Sequence, residues 1–479
     1  MAYLKGGGNR QNIWEEGQKR METQMLRAAI DELNKKGYLQ VCDVEVEPKF
    51  ELGAVLKYFK NEVPILFNKI KGSKMSVAGA LFGNREIYYE MLGMKHEERI
   101  FRMMDAIANP KATKLLTKGP VMENIITRNI DIPRMFPIPT FHEKDSSSFI
   151  TSGIVVLKDP ETGKRHISVR RLQVNGGNEV SILVASSLAN KQFFQMEEQN
   201  KPLEVAIILG YDYSLLLASQ ISSEVYGADK YEVDSALRGE ALELVKCHSV
   251  DLEVPAYGEI VLEGIMPPNR RKEEGPFGEL MGYYGGAAPH PVVEVKTVMH
   301  RNNPIFQTAF PCREEHLSNG LIREIELYTA VKNLADVQDV NVTVSGGCRL
   351  HAFVSICKKQ EGAGKSAILG ALASSKDIKH VVVVDDDVDI FDPDDIEWAI
   401  ATRMQASKDL TIISGALGSG LEPSHSLKGV TDKVGIDATK PIGELGKSFE
   451  RAVIPGYEDI DISKYFPQYK NIQKDGNAI

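Results

Sequence analysis

The sequence predicts a fold of mixed α/β and β class, in which a central barrel-like β region lies between two α/β regions. Residues 1–118 alternate helix-like and strand-like segments, the texture of an α/β domain. Residues 119–310 contain short β-branched runs separated by turn sequences such as DPETGK and NGGN, a series typical of a β-barrel. The alternation returns in residues 311–440, and we expect the Pro-, Lys- and Tyr-rich tail, residues 441–479, to contact a neighbouring subunit.

Hydrophobic periodicity predicts the individual elements. In the first region, apolar residues at helical spacing predict a helix over residues 17–35, and VPILFNKIKG predicts a buried strand. In the second region we expect one helix at DYSLLLASQIS and strands at ITSGIVVLKD, KRHISVRRLQV, EVSILVA, LEVAIILG, SVDLEV, EIVLEGIM and VVEVKTVMH. In the third region, strands such as VQDVNVTVS and HVVVVDDDVDI alternate with helices such as KSAILGALAS, which predicts one sheet covered by helices.

Composition and charge exclude several functional classes. The net charge of −9 argues against a general nucleic-acid binder, which needs concentrated positive charge. No window of the sequence reaches the ~18 apolar residues that a membrane span requires. The five cysteines are scattered without a C-x-x-C pair, and the N-terminal residues carry no secretion-signal pattern. We therefore expect a cytoplasmic protein with reduced thiols that contacts neither nucleic acid nor a membrane.

Two motifs have both a functional and a structural interpretation. EGAGKSAILG contains the Gly-Lys-Ser of a phosphate loop, but Lys359 stands where that loop needs its first glycine, so we expect a tight turn into a helix. The acidic run after VVVV offers a set of possible metal ligands, Asp385, Asp386, Asp387 and Asp389. The structural alternative is a buried strand that ends in an acidic loop before a helix start, where carboxylates suit the helix dipole.

The stretch HISVRRLQV alternates as a strand. Alternation places His166, Ser168 and Arg170 on one face and turns Arg171 to the other, among apolar side chains. A buried arginine requires carboxylate or phosphate partners, so Arg171 belongs either to a structural ion pair or to a ligand site.

The stretch EEGPFGELMGYY supplies candidate partners for that arginine. Glu274 and Glu279 flank a turn made of Gly, Pro, Phe and Gly, which can bring both carboxylates to one cleft. An arginine keeps one carboxylate ionised, whereas an apolar wall such as Phe277 raises the pKa of the other. Such a pair suits acid–base chemistry, and the alternative is two solvated glutamates in a charged loop.

Together these stretches resemble the UbiD family of decarboxylases, which use prenylated FMN. The resemblance covers nearly the whole chain and rests on RRLQ, ELVKCHSVDLEVPAYGEIVLEG, EEGPFGELMGYY, VVVVDDDVDI and GVTDKVGIDATKP. It implies a flavin-reductase-like split β-barrel, flanked by an N-terminal α/β segment and a C-terminal α/β domain. It also implies a homo-oligomer, a dimer or a hexamer.

The same resemblance implies a chemistry and its catalytic residues. The implied reaction is reversible, non-oxidative decarboxylation of a small aromatic or α,β-unsaturated carboxylic acid to release CO2. Prenylated FMN, supplied by a flavin prenyltransferase, would form a covalent adduct with the substrate and take up the electrons. Glu279 would then donate the proton, Arg171 would hold the substrate carboxylate, and Glu274 would orient Arg171.

The resemblance further implies contacts to the cofactor and to a metal. A divalent ion such as Mn2+, and K+, would accompany the cofactor phosphate. Glu243, with Glu240 as a near alternative, fits the metal-binding Glu of the family, but His166 replaces its Asn and Ser187 replaces its His. Serine is a poor ligand for such ions. The implied cofactor contacts are Thr151, His166, Ser168, Arg170, Ser187 and Lys428.

These departures leave two interpretations. Either the phosphate site is rebuilt, with His166 or Arg170 neutralising the phosphate directly, or the chain is a non-catalytic, UbiD-like structural subunit of a carboxylase complex. The presence of Arg171, Glu274 and Glu279 together favours the first.

Overall fold

The computed structural model describes residues 25–466, except for residues 185–186, 223–226, 312–313, 426 and 458. The start of the helix expected over residues 17–35 lies outside the described residues. The chain divides into two compact units. The first runs to residue 325 and includes short pieces at 347–349 and 421–423, and the second holds the rest of the C-terminal part.

The first unit contains most of the helices and strands. Its strands are β1 (Gln40–Cys42), β2 (Ile65–Phe67), β3 (Val77–Gly79), β4 (Lys114–Leu116), β5 (Asn124–Ile126), β6 (Phe149–Lys158), β7 (Arg165–Gly176), β8 (Glu179–Ile182), β9 (Leu203–Leu209), β10 (Glu243–Lys246), β11 (Glu253–Pro255), β12 (Ile260–Met266), β13 (Arg271–Glu274), β14 (Phe277–Gly278), β15 (Tyr284–Gly285), β16 (Ala288–His300) and β17 (Phe306–Gln307). Its helices are α1 (Leu26–Lys35), α2 (Glu51–Tyr58), α3 (Arg85–Met91), α4 (Arg99–Ala108), α5 (Ile132–Met135), α6 (Ser187–Glu198), α7 (Tyr213–Ser219) and α8 (Lys230–Arg238), and α9 (Glu314–Val331) contains the boundary to the second unit.

A closed, six-stranded antiparallel barrel forms the centre of the first unit. Its strands follow the order β6-β7-β8-β16-β12-β9, and β9 pairs with β6 to close the ring. Every second residue of a barrel strand faces the same side, so β9 buries Val205, Ile207 and Leu209 in one cluster and β12 adds Ile260 and Leu262. The fold class expected from the sequence is confirmed, but α6 and α8 within the barrel region were missed.

The barrel is accompanied by smaller sheets. A four-stranded sheet has the order β1-β2-β3-β17, a three-stranded sheet has the order β11-β10-β4, and β14 and β15 form a hairpin. Strand β13 pairs with β16 and extends the barrel sheet on one side. This pairing places the sequence around Glu274 next to the barrel wall, because β13 ends at that residue.

The second unit is an α/β domain with a five-stranded sheet of order β18-β19-β20-β22-β21. Its central strands β19, β20 and β22 are parallel and its outer pairs are antiparallel. The strands are β18 (Val337–Val342), β19 (His351–Ile356), β20 (His380–Asp385), β21 (Leu410–Leu417) and β22 (Val430–Ala438), and the helices are α10 (Ala363–Ser374), α11 (Pro393–Arg403) and α12 (Ala406–Asp409). The continuous valine run of β20 is buried, as expected for a parallel strand covered on both faces.

The two ambiguous motifs of this unit have structural roles. Gly362 adopts a left-handed conformation, with φ of 86°, immediately before α10, so the chain turns tightly there and the Gly-Lys-Ser sequence forms part of the first turn of the helix. In the acidic run, Asp385 and Asp387 pair with Arg403 at 3.0 and 2.8 Å. Asp392 caps the start of α11. The acidic run is therefore a salt-bridged loop.

Candidate active site

The centre of the candidate site is one arginine held between two glutamates. Arg171, on β7, donates from Nε and Nη2 to the two carboxylate oxygens of Glu274 at 2.8 and 2.9 Å. Its third nitrogen, Nη1, donates to Oε1 of Glu279. The fork of the guanidinium fits a carboxylate with two parallel bonds, so Glu274 fixes both the position and the plane of Arg171.

The two glutamates have different surroundings. The side chain of Glu274 is 0% exposed, that of Arg171 is 12% exposed, and that of Glu279 is 20% exposed. Burial lowers the pKa of Arg171, but hydrogen bonds and charge from the two glutamates outweigh it and raise the pKa above the usual value. The arginine is therefore cationic at any working pH, with an orienting acid on its buried side and an accessible acid on the other.

The turn between the glutamates is shaped by close contacts. Gly275 follows β13 with φ of 91°, a conformation that favours glycine. The β14–β15 hairpin then carries Glu279, whose backbone N–H donates to the carbonyl of Tyr283 at 2.8 Å. A Cβ atom at Gly285 would stand 2.7 Å from Oε1 of Glu279, so a larger residue at position 285 would require that carboxylate to move.

An aromatic wall lies beside the arginine. The guanidinium of Arg171 lies 4.8 Å from the ring centre of Phe277, and the ring of Phe149 lies 4.5 Å from that of Phe277. The pair supplies a cation–π contact and an apolar surface next to the charged groups. His290 lies 3.9 Å from Glu274, and burial lowers the pKa of His290, which favours its neutral form.

A partly buried polar face with one arginine lies on the same strand. His166 is buried, and Oγ of Ser168 accepts from Nε of Arg170 at 3.1 Å, so the alternation expected along β7 is present. Burial lowers the pKa of Arg170 to about 10. Burial, with the nearby charges of Lys230 and Arg170, lowers the pKa of His166 to about 3. Within the described residues, neither ring nitrogen of His166 has a hydrogen-bond partner.

The other residues expected to contact the cofactor lie in different places. Thr151 is buried on β6, where its Oγ1 lies 3.3 Å from that of Thr308 and accepts from the N–H of Ala309 at 3.2 Å. Ser187 is the first residue of α6, and its side chain lies outside the described part of the structure. Lys428 lies in an exposed turn of the second unit, whereas Arg171, Glu274 and Glu279 belong to the first.

The expected metal ligands do not form a metal site in the described part of the chain. Glu243 lies on β10 of the three-stranded sheet, where it accepts from Lys114 at 2.8 Å and from Tyr257 at 3.0 Å. Among the described residues, no group of three or more His, Cys, Asp and Glu side chains could hold a metal ion. Glu243 and His166 therefore do not fit the divalent-ion site that the resemblance implied.

Two residues that contact the backbone of the site, Gln173 and Asp145, were not predicted from the sequence. Gln173 and Asp145 hold the backbone around Glu274 and Glu279, with Asp145 accepting from the N–H of Gly278 at 2.9 Å. Gln173 has the same strand parity as Arg171, so alternation along β7 could have indicated it. Asp145 is remote in sequence from the hairpin and carries no such signal.

The fold and the site together define a closed antiparallel barrel whose wall presents an arginine between a buried and an accessible carboxylate. Comparison with known proteins gives the family. The chain matches the N-terminal, Rift-related and C-terminal domains of the UbiD 3-octaprenyl-4-hydroxybenzoate carboxy-lyases over residues 30–107, 114–314 and 316–438. The chain belongs to the UbiD family and is an enzyme of the carboxy-lyase class.

Individual relatives agree with this membership. The anhydromevalonate phosphate decarboxylase of Methanosarcina mazei is 37% identical over 90% of this chain and 99% of its own length. A phenolic acid decarboxylase of Bacillus subtilis is 30% identical over 88% and 93%. The UbiD-class enzyme HmfF of Pelotomaculum thermopropionicum, solved with FMN, is 42% identical over 92% of this chain and 99% of its own, with a TM-score of 0.90. An evolved dimeric form of HmfF was solved with prFMN.

Proposed function

We propose that this chain catalyses reversible, non-oxidative decarboxylation of an aromatic or α,β-unsaturated carboxylic acid with prenylated FMN as cofactor. The observation that carries the proposal is the pair of glutamates on one arginine, with Glu274 buried and Glu279 partly exposed. A buried acid that only orients and an accessible acid that transfers a proton are the two roles that this chemistry needs.

The residues of the barrel suit a flavin phosphate. A phosphate monoester is a dianion near neutral pH, and β7 offers a partly buried arginine, a hydroxyl and a buried histidine on one face, Arg170, Ser168 and His166. When bound, prenylated FMN supplies an electron sink for the carbon that loses CO2. The flavins held by the two HmfF structures support the same assignment.

The residues of this chain then have separate tasks. Arg171 holds the carboxylate of the incoming acid, and Glu274 keeps the guanidinium in one plane through its two bonds. Phe277 and Phe149 form an apolar wall, which favours conversion of an anionic carboxylate into neutral CO2. Glu279 uses Oε1 for Arg171, which leaves Oε2 to carry a proton to the substrate carbon after CO2 departs.

The names of the relatives suggest the substrates to test first. One set of relatives acts on anhydromevalonate phosphate and another on phenolic acids. A first panel therefore contains anhydromevalonate phosphate, a phenolic acid and a saturated acid as negative control. We expect release of CO2 only from acids whose carboxyl-bearing carbon is part of a conjugated system.

The test uses protein that is co-expressed with a flavin prenyltransferase and purified without oxygen. Mass spectrometry and the absorption spectrum measure bound cofactor, and CO2 release measures turnover. We expect Glu279→Gln to retain the flavin and to lose turnover by at least about a hundredfold, in the range of a lost general acid. Glu273→Gln removes an exposed carboxylate one residue before Glu274 and is the matched control, with unchanged turnover.

Two results would contradict the proposal. Turnover retained in Glu279→Gln would remove Glu279 from the proton transfer. Protein that contains no flavin after co-expression with the prenyltransferase would favour the alternative, a structural subunit of a carboxylase complex.

A cytoplasmic location stays a prediction. Among the described residues, no helix combines the length and apolar character needed to cross a membrane.

A further inference from the structure

We infer that this chain binds the phosphate monoester of its flavin directly, through His166, Arg170 and Lys230, without a divalent metal ion. The inference rests on the proposed function only in taking the ligand to be a flavin. It does not depend on the reaction that the flavin supports. The shared chemistry is that of a phosphate monoester, which a phosphorylated substrate would also offer.

The first support is the arrangement along β7. His166, Ser168 and Arg170 are separated by two residues each, so they lie on one face of the strand, and the Ser168–Arg170 hydrogen bond of 3.1 Å is consistent with this arrangement. The strand belongs to the closed barrel, whose pairing with β6 and β8 fixes its backbone. The face is therefore a rigid base for a ligand, in contrast to a loop.

A second positive charge comes from helix α8. Lys230 is buried, and its Nζ donates to the carbonyls of Ile167 at 2.7 Å and Ser219 at 2.8 Å. An ion pair of 2.9 Å between Arg165 and Asp229 joins the start of the same helix to β7. These contacts place the ammonium group of Lys230 beside β7, next to Ile167, which follows His166 in the strand.

The third support is the state of His166. Its side chain is buried, and within the described residues both ring nitrogens are without a hydrogen-bond partner. A buried polar group without a hydrogen-bond partner lowers stability, so such groups are rare unless a ligand or water satisfies them. A neutral imidazole carries one N–H, which can donate to a phosphate oxygen.

The same face is unsuitable for a divalent cation. Arg170 shares the strand face of His166, and Nζ of Lys230 lies 2.7 Å from the carbonyl of Ile167, the next residue of the strand. They would repel a metal ion and attract a phosphate dianion. The carboxylate expected to complete a metal site, Glu243, is bound to Lys114 and Tyr257 on another sheet. The positive side chains thus replace the metal as the counter-charge to the phosphate.

The experiment measures binding of FMN and riboflavin, which differ by the phosphate alone, to flavin-free protein by quenching of flavin fluorescence. Each titration is done with EDTA and with added Mn2+, and the metal content of the protein is measured by mass spectrometry. The variants are His166→Asn and Arg170→Gln. Lys164→Gln removes a charge from the exposed turn before β7 and is the matched control.

We expect FMN to bind at least tenfold more tightly than riboflavin, with the same affinity in EDTA and in Mn2+. Arg170→Gln should weaken FMN binding about tenfold to a hundredfold, the range for a lost hydrogen bond to a charged group, and leave riboflavin unchanged. His166→Asn should weaken FMN binding to a smaller extent, and Lys164→Gln should bind as the parent protein does.

Several outcomes would overturn the inference. They are FMN binding that EDTA abolishes and Mn2+ restores, equal affinity for FMN and riboflavin, absence of FMN binding, and an Arg170→Gln variant that is folded and binds FMN normally. Inorganic phosphate is added as a competitor, and failure to displace FMN at high concentration would argue for recognition of the flavin ring alone. Phosphate-dependent FMN binding, together with no turnover in protein loaded with prenylated FMN, would contradict the proposed reaction and leave this inference standing.

Discussion

The side-chain amide of Gln173 holds the backbone on both sides of Glu274. Its Oε1 accepts from the N–H of Gly275 at 2.8 Å, and its Nε2 donates to the carbonyl of Glu273 at 3.0 Å. Ser146 donates to the same Oε1 at 2.8 Å. Because Gln173 lies two residues after Arg171 on β7, one strand fixes both the arginine and the glutamate that orients it.

Gln173→Ala should therefore disturb catalysis without touching substrate. It leaves two backbone groups next to Glu274 without partners, which costs about 1–3 kcal/mol each when they are buried. We expect kcat to fall by more than tenfold with a smaller change in KM, and Tm to fall by several degrees. Gln199→Ala, at an exposed glutamine after α6, is the control. Unchanged kcat in folded Gln173→Ala protein would show that the hydrogen bonds of the Gln173 side chain are not needed to position Glu274.

The hairpin that carries Glu279 depends on a second close approach, between Gly278 and His142. A Cβ atom at residue 278 would overlap the imidazole ring of His142, whose backbone N–H donates to Asp145 at 2.9 Å. Gly278→Ala should push the hairpin away from this ring and cost about 1–3 kcal/mol, as overpacking does. We expect lower Tm and lower kcat.

A double-mutant cycle tests this explanation. His142→Ala removes the ring atoms that the new Cβ would meet, so the double variant should recover much of the stability lost in Gly278→Ala. Gly286→Ala is the control, because a Cβ atom there meets no atom within 4 Å. Additive losses in the double variant would mean that the ring of His142 is not the cause.

The sequence predicted the fold because the fold leaves local signals, and it left a contact of Arg171 with Glu274 and Glu279 as one of two alternatives. Strand alternation placed Arg171 opposite His166 and Arg170, and the short spacing of Glu274 and Glu279 about a Gly-Pro turn indicated convergence. Lys230 and Asp145 could not be predicted, because their roles arise from the docking of α8 on β7 and of a distant loop on the β14–β15 hairpin. The ion pair of Glu243 with Lys114 is likewise a long-range contact, so no local signal showed it.

His351 predicts a pH dependence of stability in the second unit. It lies on β19 opposite His380 of β20, with 5.7 Å between the ring centres. Burial, with a smaller contribution from the charge of His380, lowers the pKa of His351 from 6.5 to about 4. The folded state therefore binds fewer protons than the unfolded state between these values, and stability falls as the pH falls from about 6.5 to 4.

His351→Gln should reduce this loss. A shift of this size corresponds to about 3 kcal/mol as an upper figure, and the substitution removes the titrating group. We expect Tm of the parent protein to fall more steeply than that of His351→Gln between pH 7 and pH 4.5, with the two curves parallel above pH 7. Parallel curves over the whole range would show that His351 does not titrate differently in the two states.

The tail at the C-terminal end of the second unit predicts that the protein forms an oligomer. Its described residues carry large apolar side chains in contact with solvent, among them Leu445, Val453 and Ile454 at 72, 79 and 72% exposed. A run of exposed apolar residues of this kind marks a binding surface, and a stable interface buries about 1,200 Å² or more. We therefore expect the protein to form a homo-oligomer through residues 441–466.

Charged substitutions in the tail should break that oligomer. The triple variant Leu445→Glu, Val453→Glu, Ile454→Glu would place three carboxylates in a desolvated interface, at a cost of several kcal/mol and thus a loss of affinity above about a hundredfold. Light scattering coupled to size exclusion should give a dimer or larger assembly for the parent chain and a smaller mass for the variant. Tyr58→Glu makes the same change at an exposed apolar residue of the first unit and should leave the mass unchanged. A monomeric parent chain, or an unchanged mass in the triple variant, would exclude the tail as the contact.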